Sequence, residues 1–334
     1  MQGWRTYNED AHITALDFVP GVSLFAVFDG HGGAEVAKYC EKHMVEELKA
    51  NKDFQAQKYE AALRAVFLKI DTMLLENSAK AELPKYSKQN QYSSNGGEIP
   101  YQAGCTANVC LITDTHIYCA NAGDARGVLC QAGKSLDLSK DHKPDLPEER
   151  KRVVAAGHYV EEGRVDGVIA ISKAIGDWEY KSPKLAPEKM AVSAFPDVTK
   201  TAITKDTDFL ICACDGIWDC MTSQQACDFA KKGRSKLVGF GGGDLNLQKQ
   251  VSNSSGKSGG GSKGATKNKL GKAGAKEAKM EATRDNSKFK GLAVVVEMMM
   301  EQNCPASIHQ SDGLGCDNMT CILIQFNKIE NREN

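Results

Sequence analysis

The chain has 334 residues, 41% hydrophobic and 25% charged, enough to bury a substantial core as an ordinary globular protein. Its net charge of -1 hides an asymmetry: residues 234–290 carry 13 Lys/Arg against 4 Asp/Glu, a balance of +9 that leaves -10 for the remainder. An acidic body argues against nucleic acid as its main ligand and suits a site that collects cations.

No apolar run approaches a membrane span and no basic-then-apolar leader opens the chain, so a soluble protein of the cytoplasm or nucleus is expected. The twelve cysteines are scattered through apolar runs and read as reduced, buried small hydrophobes. None forms a CxxC pair, which disfavours a structural zinc site, and none is followed six positions later by the Arg that a cysteine phosphatase needs.

In chain order, strand-like apolar segments cover residues 24–28, 106–112, 116–120, 127–130, 209–213 and 320–326. Helical spacing covers 33–51, 58–78, 147–156, 223–232 and 289–302. Helices come in pairs instead of after every strand, which predicts an α+β sandwich of antiparallel sheets flanked by helices, not a doubly wound fold. Residues 77–101 read as a long polar surface loop. Residues 245–276 hold seven Lys, no Asp or Glu and no aromatic in a Gly/Ser background, so about 235–287 is expected to be a disordered insertion.

Three Asp residues sit where an apolar strand meets a turn: Phe28-Asp29-Gly30, Cys214-Asp215-Gly216, and Cys316-Asp317-Asn318 just before 320–326. One Asp-Gly is an ordinary turn signal; three, together with Asn8-Glu9-Asp10 and Gly123-Asp124, point to a shared site. Carboxylates gathered without Arg or Lys partners repel one another unless hard cations neutralise them, and oxygen donors select Mg2+ or Mn2+. Two such ions about 4 Å apart turn a bridging water into a nucleophile near neutral pH. His31, in Asp29-Gly30-His31-Gly32-Gly33, is placed to protonate a leaving oxygen, and the planar guanidinium of Arg5 can clamp two phosphate oxygens.

The chain resembles the metal-dependent protein phosphatase family, type 2C. The resemblance rests on Met1-Gln2-Gly3-Trp4-Arg5, Asn8-Glu9-Asp10-Ala11-His12, Phe28-Asp29-Gly30-His31-Gly32-Gly33, Gly104-Cys105-Thr106-Ala107, Asn121-Ala122-Gly123-Asp124-Ala125-Arg126, Asp141-His142-Lys143-Pro144, Ser172-Lys173-Ala174-Ile175-Gly176-Asp177, Asp215-Gly216-Ile217-Trp218-Asp219 and Asp317-Asn318-Met319-Thr320. It implies one catalytic domain over 1–326 with a four-layer αββα sandwich, a two-metal site at one end, and a short tail at 327–334.

It further implies metal ligation by Asp29, the Gly30 carbonyl, Asp215 and Asp317. Glu9 and Asp10 would act through metal-bound waters, and Asp124 with Asp215 would hold a weaker third ion. Arg5 and His31 match the phosphate clamp and the general acid. Phosphoserine and phosphothreonine proteins are the implied substrates, a monomer the implied state, and 173–195 the implied substrate-selecting flap.

Several positions depart from the pattern. The strand that normally leads into Gln2-Gly3-Trp4-Arg5 is absent, so a native start with any membrane-attaching lipid is expected upstream. Lys173 replaces the usual Arg, and His158 a usual Gly. The basic insertion has no counterpart; it reads as a solvated linker, with docking to an acidic partner as the alternative. A pseudophosphatase that binds without catalysis would require loss of one of the three metal Asp residues, and all are present. Gly256-Lys257-Ser258 lacks the upstream Gly and lead-in strand of a nucleotide-binding loop.

Overall fold

The structure, a computed structural model, describes residues 1–87, 99–239, 251–253 and 291–326. The longer elements are, in order, β1 (Ala11–Val19), β2 (Val22–Phe28), α1 (Glu35–Ala50), α2 (Tyr59–Met73), β3 (Ala107–Ile112), β4 (His116–Ala122), β5 (Arg126–Gln131), β6 (Lys134–Asp137), α3 (Pro147–Ala155), β7 (Asp197–Ala202), β8 (Thr207–Ala213), α4 (Ser223–Gly239), β9 (Val251–Asn253), α5 (Leu292–Asn303) and β10 (Cys321–Gln325). One sheet runs β1-β2-β3-β4-β7 and the other β9-β10-β8-β5-β6, with every pairing antiparallel.

Period-two alternation decides the layers. In β2, Leu24, Ala26 and Phe28 pack with Met44 of α1 and Phe67 and Ile70 of α2, while Phe25 and Val27 turn toward the second sheet. In β8, Phe209, Ile211 and Ala213 pack with Ala230 of α4 and Val295 and Met299 of α5, while Leu210 and Cys212 meet Phe25 and Val27 between the sheets. Both strands are therefore apolar along their whole length, because each face meets another layer. Burying side chains such as Phe28 and Phe209 stabilises the fold by about 1.5–3 kcal/mol each. The result is the αββα sandwich expected from the sequence.

Antiparallel register also gathers particular strand ends. Ala11 of β1 pairs with Phe28 of β2, and Ala213 of β8 pairs with both Arg126 of β5 and Cys321 of β10. Asp10, Asp29, Asp124, Asp215 and Asp317 all flank those ends and so meet at one edge of the sandwich.

Some expectations are corrected. β1, β6 and β7 were not read from the sequence. β1 and β7 are the outer strands of their sheet, and the residues of β7 are mostly exposed, so neither carries a strong apolar pattern. The expected loop at 77–101 begins with a helix, Asn77–Glu82, because Ala79 and Leu83 are buried against the α1–α2 layer. Residues 88–98 lie outside the described residues.

Within the segment expected to be unstructured, α4 continues to Gly239 and β9 pairs with Ile322–Ile324. Propagating an existing helix is cheap, and an edge strand needs only backbone groups to pair. The remainder of that insertion, including Gly256-Lys257-Ser258, and the tail at 327–334 lie outside the described residues. Among the described residues no helix is long and apolar enough to cross a membrane.

Candidate active site

A cavity of about 640 Å³ opens at the acidic edge, lined among others by Arg5, Glu9, Asp29, His31, Asp124 and Asp215. Asp317 and Gly30 lie on the same wall, so the structure brings together the expected site residues around this opening, with Asp10 buried behind it. Each carboxylate is mounted rigidly. Asp29 follows β2 directly, and its amide and carbonyl bond Thr106 Oγ1 (3.3 Å) and the Thr106 amide (2.9 Å). Asp215 opens the short helix Asp215–Trp218, with only Cys214 between it and β8.

At Gly30 a Cβ would collide with the Glu9 carbonyl, so only glycine lets these two backbone segments approach.

Asp10 is buried, accepts from Thr320 Oγ1 at 2.7 Å and contacts Cys214 Sγ at 3.6 Å through Oδ2. Its Oδ1 is buried and has no hydrogen-bond partner among the described residues. Asp10, Asp29 and Cys214 can bring one donor atom each within 4.8 Å of one another. The Cys214 thiol is pushed well above its ordinary range by burial and by Asp10 and Asp29, so it stays protonated and donates to Asp10.

Electrostatics set this edge apart. Burial, then Asp215, Asp10 and Asp124, push the Asp29 carboxyl well above the ordinary range. Burial, with Asp124 and Asp219, pushes Asp215 up to about 7. Asp10 is raised mainly by burial. Glu9 is raised by burial and by Glu35, a buried carboxylate whose Oε2 also lacks a partner among the described residues.

No Lys or Arg pairs with Asp10, Asp29 or Asp215 among the described residues. Burial and mutual repulsion make this set costly to ionise, and the all-oxygen set, with the orphaned Asp10 Oδ1 behind it, fits hard divalent cations.

The expectation that the whole acidic set lacks basic partners is corrected at its margins. Arg5 Nη2 bonds Asp317 Oδ2 at 2.6 Å, and Lys143 Nζ pairs with Asp124. The guanidinium carries five N–H donors, so holding Asp317 leaves others for phosphate oxygens. Lys143 engages Asp124 Oδ2, so a third ion at Asp124 would share that carboxylate with the ammonium.

His31 lies on a two-residue strand, Gly30–His31, and its Nε2 stands 2.8 Å from both oxygens of Asp177. Burial lowers the imidazole pKa, but Asp177 outweighs it and holds the ring more basic than usual.

Several supporting residues went unassigned in the sequence. Asn318 Oδ1 accepts from the Glu9 amide at 2.8 Å, and its Nδ2 donates to the carbonyls of Gln2 and Tyr7, tying the first segment to the last. Thr106, Lys143, Asp177 and Thr320 also lay inside quoted motifs, but residue type alone assigns them no role. The expected flap is anchored: Lys173 pairs with Asp197 at 2.6 Å, and Ala174, Tyr180, Ala191 and Val192 share a small core with Val153 of α3. The cavity is lined by Arg164 and Val168–Ile171, upstream of the expected 173–195, together with Asp177, Glu179 and Tyr180.

Comparisons with known proteins place the chain in a family. The family model described as Protein phosphatase 2C matches residues 1–239. The chain is 40% identical over 327 residues to Probable protein phosphatase 2C 5 of Paramecium tetraurelia, covering 98% of this chain and 90% of that protein. It is 38% identical over 334 residues to Protein phosphatase 2C homolog 2 of Schizosaccharomyces pombe, covering 98% and 71%. A serine-threonine phosphatase 2C structure from Toxoplasma gondii shares the fold with a TM-score of 0.66 at 19% identity, over 97% of this chain and 92% of that one. The family model and these relatives show that the chain belongs to the protein phosphatase 2C family of metal-dependent enzymes and is a protein phosphatase.

Proposed function

We propose that the chain hydrolyses phosphoserine and phosphothreonine in proteins at the edge where Asp29, Asp215 and Asp317 meet. The observation that carries this reading is the cluster of Asp10, Asp29 and Asp215, which among the described residues has no Lys or Arg partner, beside an Arg and a His that line the same cavity. In this reading Asp29, the Gly30 carbonyl, Asp215 and Asp317 would hold two Mg2+ or Mn2+ ions, Glu9 and Asp10 would hold their waters, and Asp124 with Asp215 would serve a weaker third ion. Bound cations supply charge neutralisation and lower the pKa of a bound water, providing the nucleophile.

The remaining steps fall to the chain's own groups. Arg5, anchored to Asp317, presents its free N–H groups to the phosphate and orients it. His31, held more basic than usual by Asp177, delivers a proton to the departing seryl or threonyl oxygen. The loop Val168–Ile171 and Tyr180 border the opening and select the peptide around the phosphorylated residue. Action as a monomer in the cytoplasm or nucleus belongs to the same reading.

Turnover of a phosphothreonine peptide with Mg2+ or Mn2+, with and without chelator, tests it. Release of phosphate that persists unchanged in excess chelator would remove the two-metal reading.

A further inference from the structure

We infer that Asp177, mounted by a buried Asp71–Lys181 pair, is a positioning residue that fixes the His31 imidazole for proton transfer. The inference rests on the reading of His31 as the general acid.

Asp177 is buried and follows a two-residue strand, Ile175–Gly176, that pairs with Gly104–Cys105, the strand that also pairs with Gly30–His31. His31 and Asp177 thus flank Gly104, and a Cβ at Gly104 would collide with the Asp177 carboxylate. Asp177 has φ +51, a left-handed conformation that a residue with a Cβ adopts at a cost. It is held there by its amide donating to the Ala103 carbonyl (3.0 Å) and its carbonyl accepting from Tyr180 (3.1 Å). Such strain persists where the surroundings overdetermine it, and here it aims both carboxylate oxygens at His31 Nε2.

The surroundings trace to α2. Asp71 Oδ1 accepts from the Gly176 amide at 2.8 Å and from Lys181 Nζ at 2.6 Å. Lys181 also donates to the Ala174 carbonyl at 3.0 Å, and the Trp178 indole donates to the Asp71 carbonyl at 3.1 Å. One aspartate therefore pins residues on both sides of Asp177. The Asp71 and Lys181 side chains are 5% and 0% exposed. An ion pair this buried gains little net stability over an apolar pair, so its contribution here is geometric.

A carboxylate on one imidazole nitrogen fixes the tautomer and the ring's orientation, leaving the other nitrogen for chemistry. With Nε2 engaged by Asp177, Nδ1 is the nitrogen that gives its proton to the leaving oxygen and takes one back from solvent.

The test compares two substrates of the metal-loaded, full-length protein: a phosphothreonine peptide, whose alkoxide needs a proton to leave, and p-nitrophenyl phosphate, whose phenolate does not. His31→Gln is expected to lower kcat on the peptide by about 10²-fold and far less on the aryl ester. Asp177→Asn should show the same selectivity, mainly in kcat and with KM moving less than about threefold. The double variant Asp71→Leu/Lys181→Met, with an apolar mount, should lose about tenfold selectively.

Equal losses on both substrates, or no loss, for Asp177→Asn while His31→Gln stays selective would overturn the positioning role. A wild-type substrate ratio in the double variant would overturn the role of the mount. An unselective His31→Gln would instead overturn the general-acid reading, and the inference with it.

Discussion

Two groups of acidic residues in this molecule live under opposite electrostatics. At the sandwich edge, Asp10, Asp29 and Asp215 face one another with no Lys or Arg paired to them among the described residues, and their carboxyls are pushed up. Against α1, Glu82 lies among Lys42 Nζ (2.7 Å), His43 Nε2 (3.1 Å) and the Tyr86 hydroxyl (2.5 Å). Burial opposes its charge, but these donors outweigh burial and hold it down at about 2. A paired carboxylate stabilises the fold it sits in. A crowd of unpaired ones does the reverse, and its presence points to a ligand that supplies the positive charge.

The comparison breaks first at Asp215. Asp215→Asn should abolish Mn2+-dependent phosphate release from a phosphopeptide, and unaltered activity would remove the two-metal site. Next, Mn2+ or Mg2+ at about 100 times its Kd should stabilise the wild-type protein by about 2.7 kcal/mol, read as a rise in melting temperature. That rise should be largely lost in Asp29→Asn; an equal rise in the variant would place the ions elsewhere.

In chelator the two regions should respond with opposite sign. Asp215→Asn removes a repelling charge and should raise the melting temperature, whereas Glu82→Gln breaks a satisfied network and should cost about 1 kcal/mol at pH 6. A drop for both would mean that the edge is not strained by its charges. The smallest effect is in pH. Because the folded pKa of Glu82 lies below its unfolded value near 4.5, its contribution is fully present above that value and fades as pH falls toward about 2. The stability difference between wild type and Glu82→Gln should therefore shrink between pH 5 and pH 2.5 in urea titrations, while a constant difference would assign it to packing.

Much of this was legible from residue order. The six predicted strands are found because buried strands must be apolar on both faces, and Asp29, Asp215 and Asp317 stood out because each interrupts such a run at its end. β7 was not legible: its six residues are mostly exposed, and only backbone pairing to β4 defines it. Nor was the Arg5–Asp317 bond, which joins residues 312 positions apart. Asp177 was quoted within a motif, but its role depends on a left-handed turn and on Asp71, which lies 105 positions before Gly176.

The sequence by itself determined the layers, the acidic chemistry and the family resemblance, because apolar periodicity and donor type are properties of single segments. Only the tertiary structure decided which charges are neutralised and by whom. Arg5 to Asp317, Lys143 to Asp124 and Asp177 to His31 are choices among many acids and bases of the right type. Coulomb and hydrogen-bond energies fall off within a few ångströms, so those choices exist only once antiparallel register has brought the strand ends together.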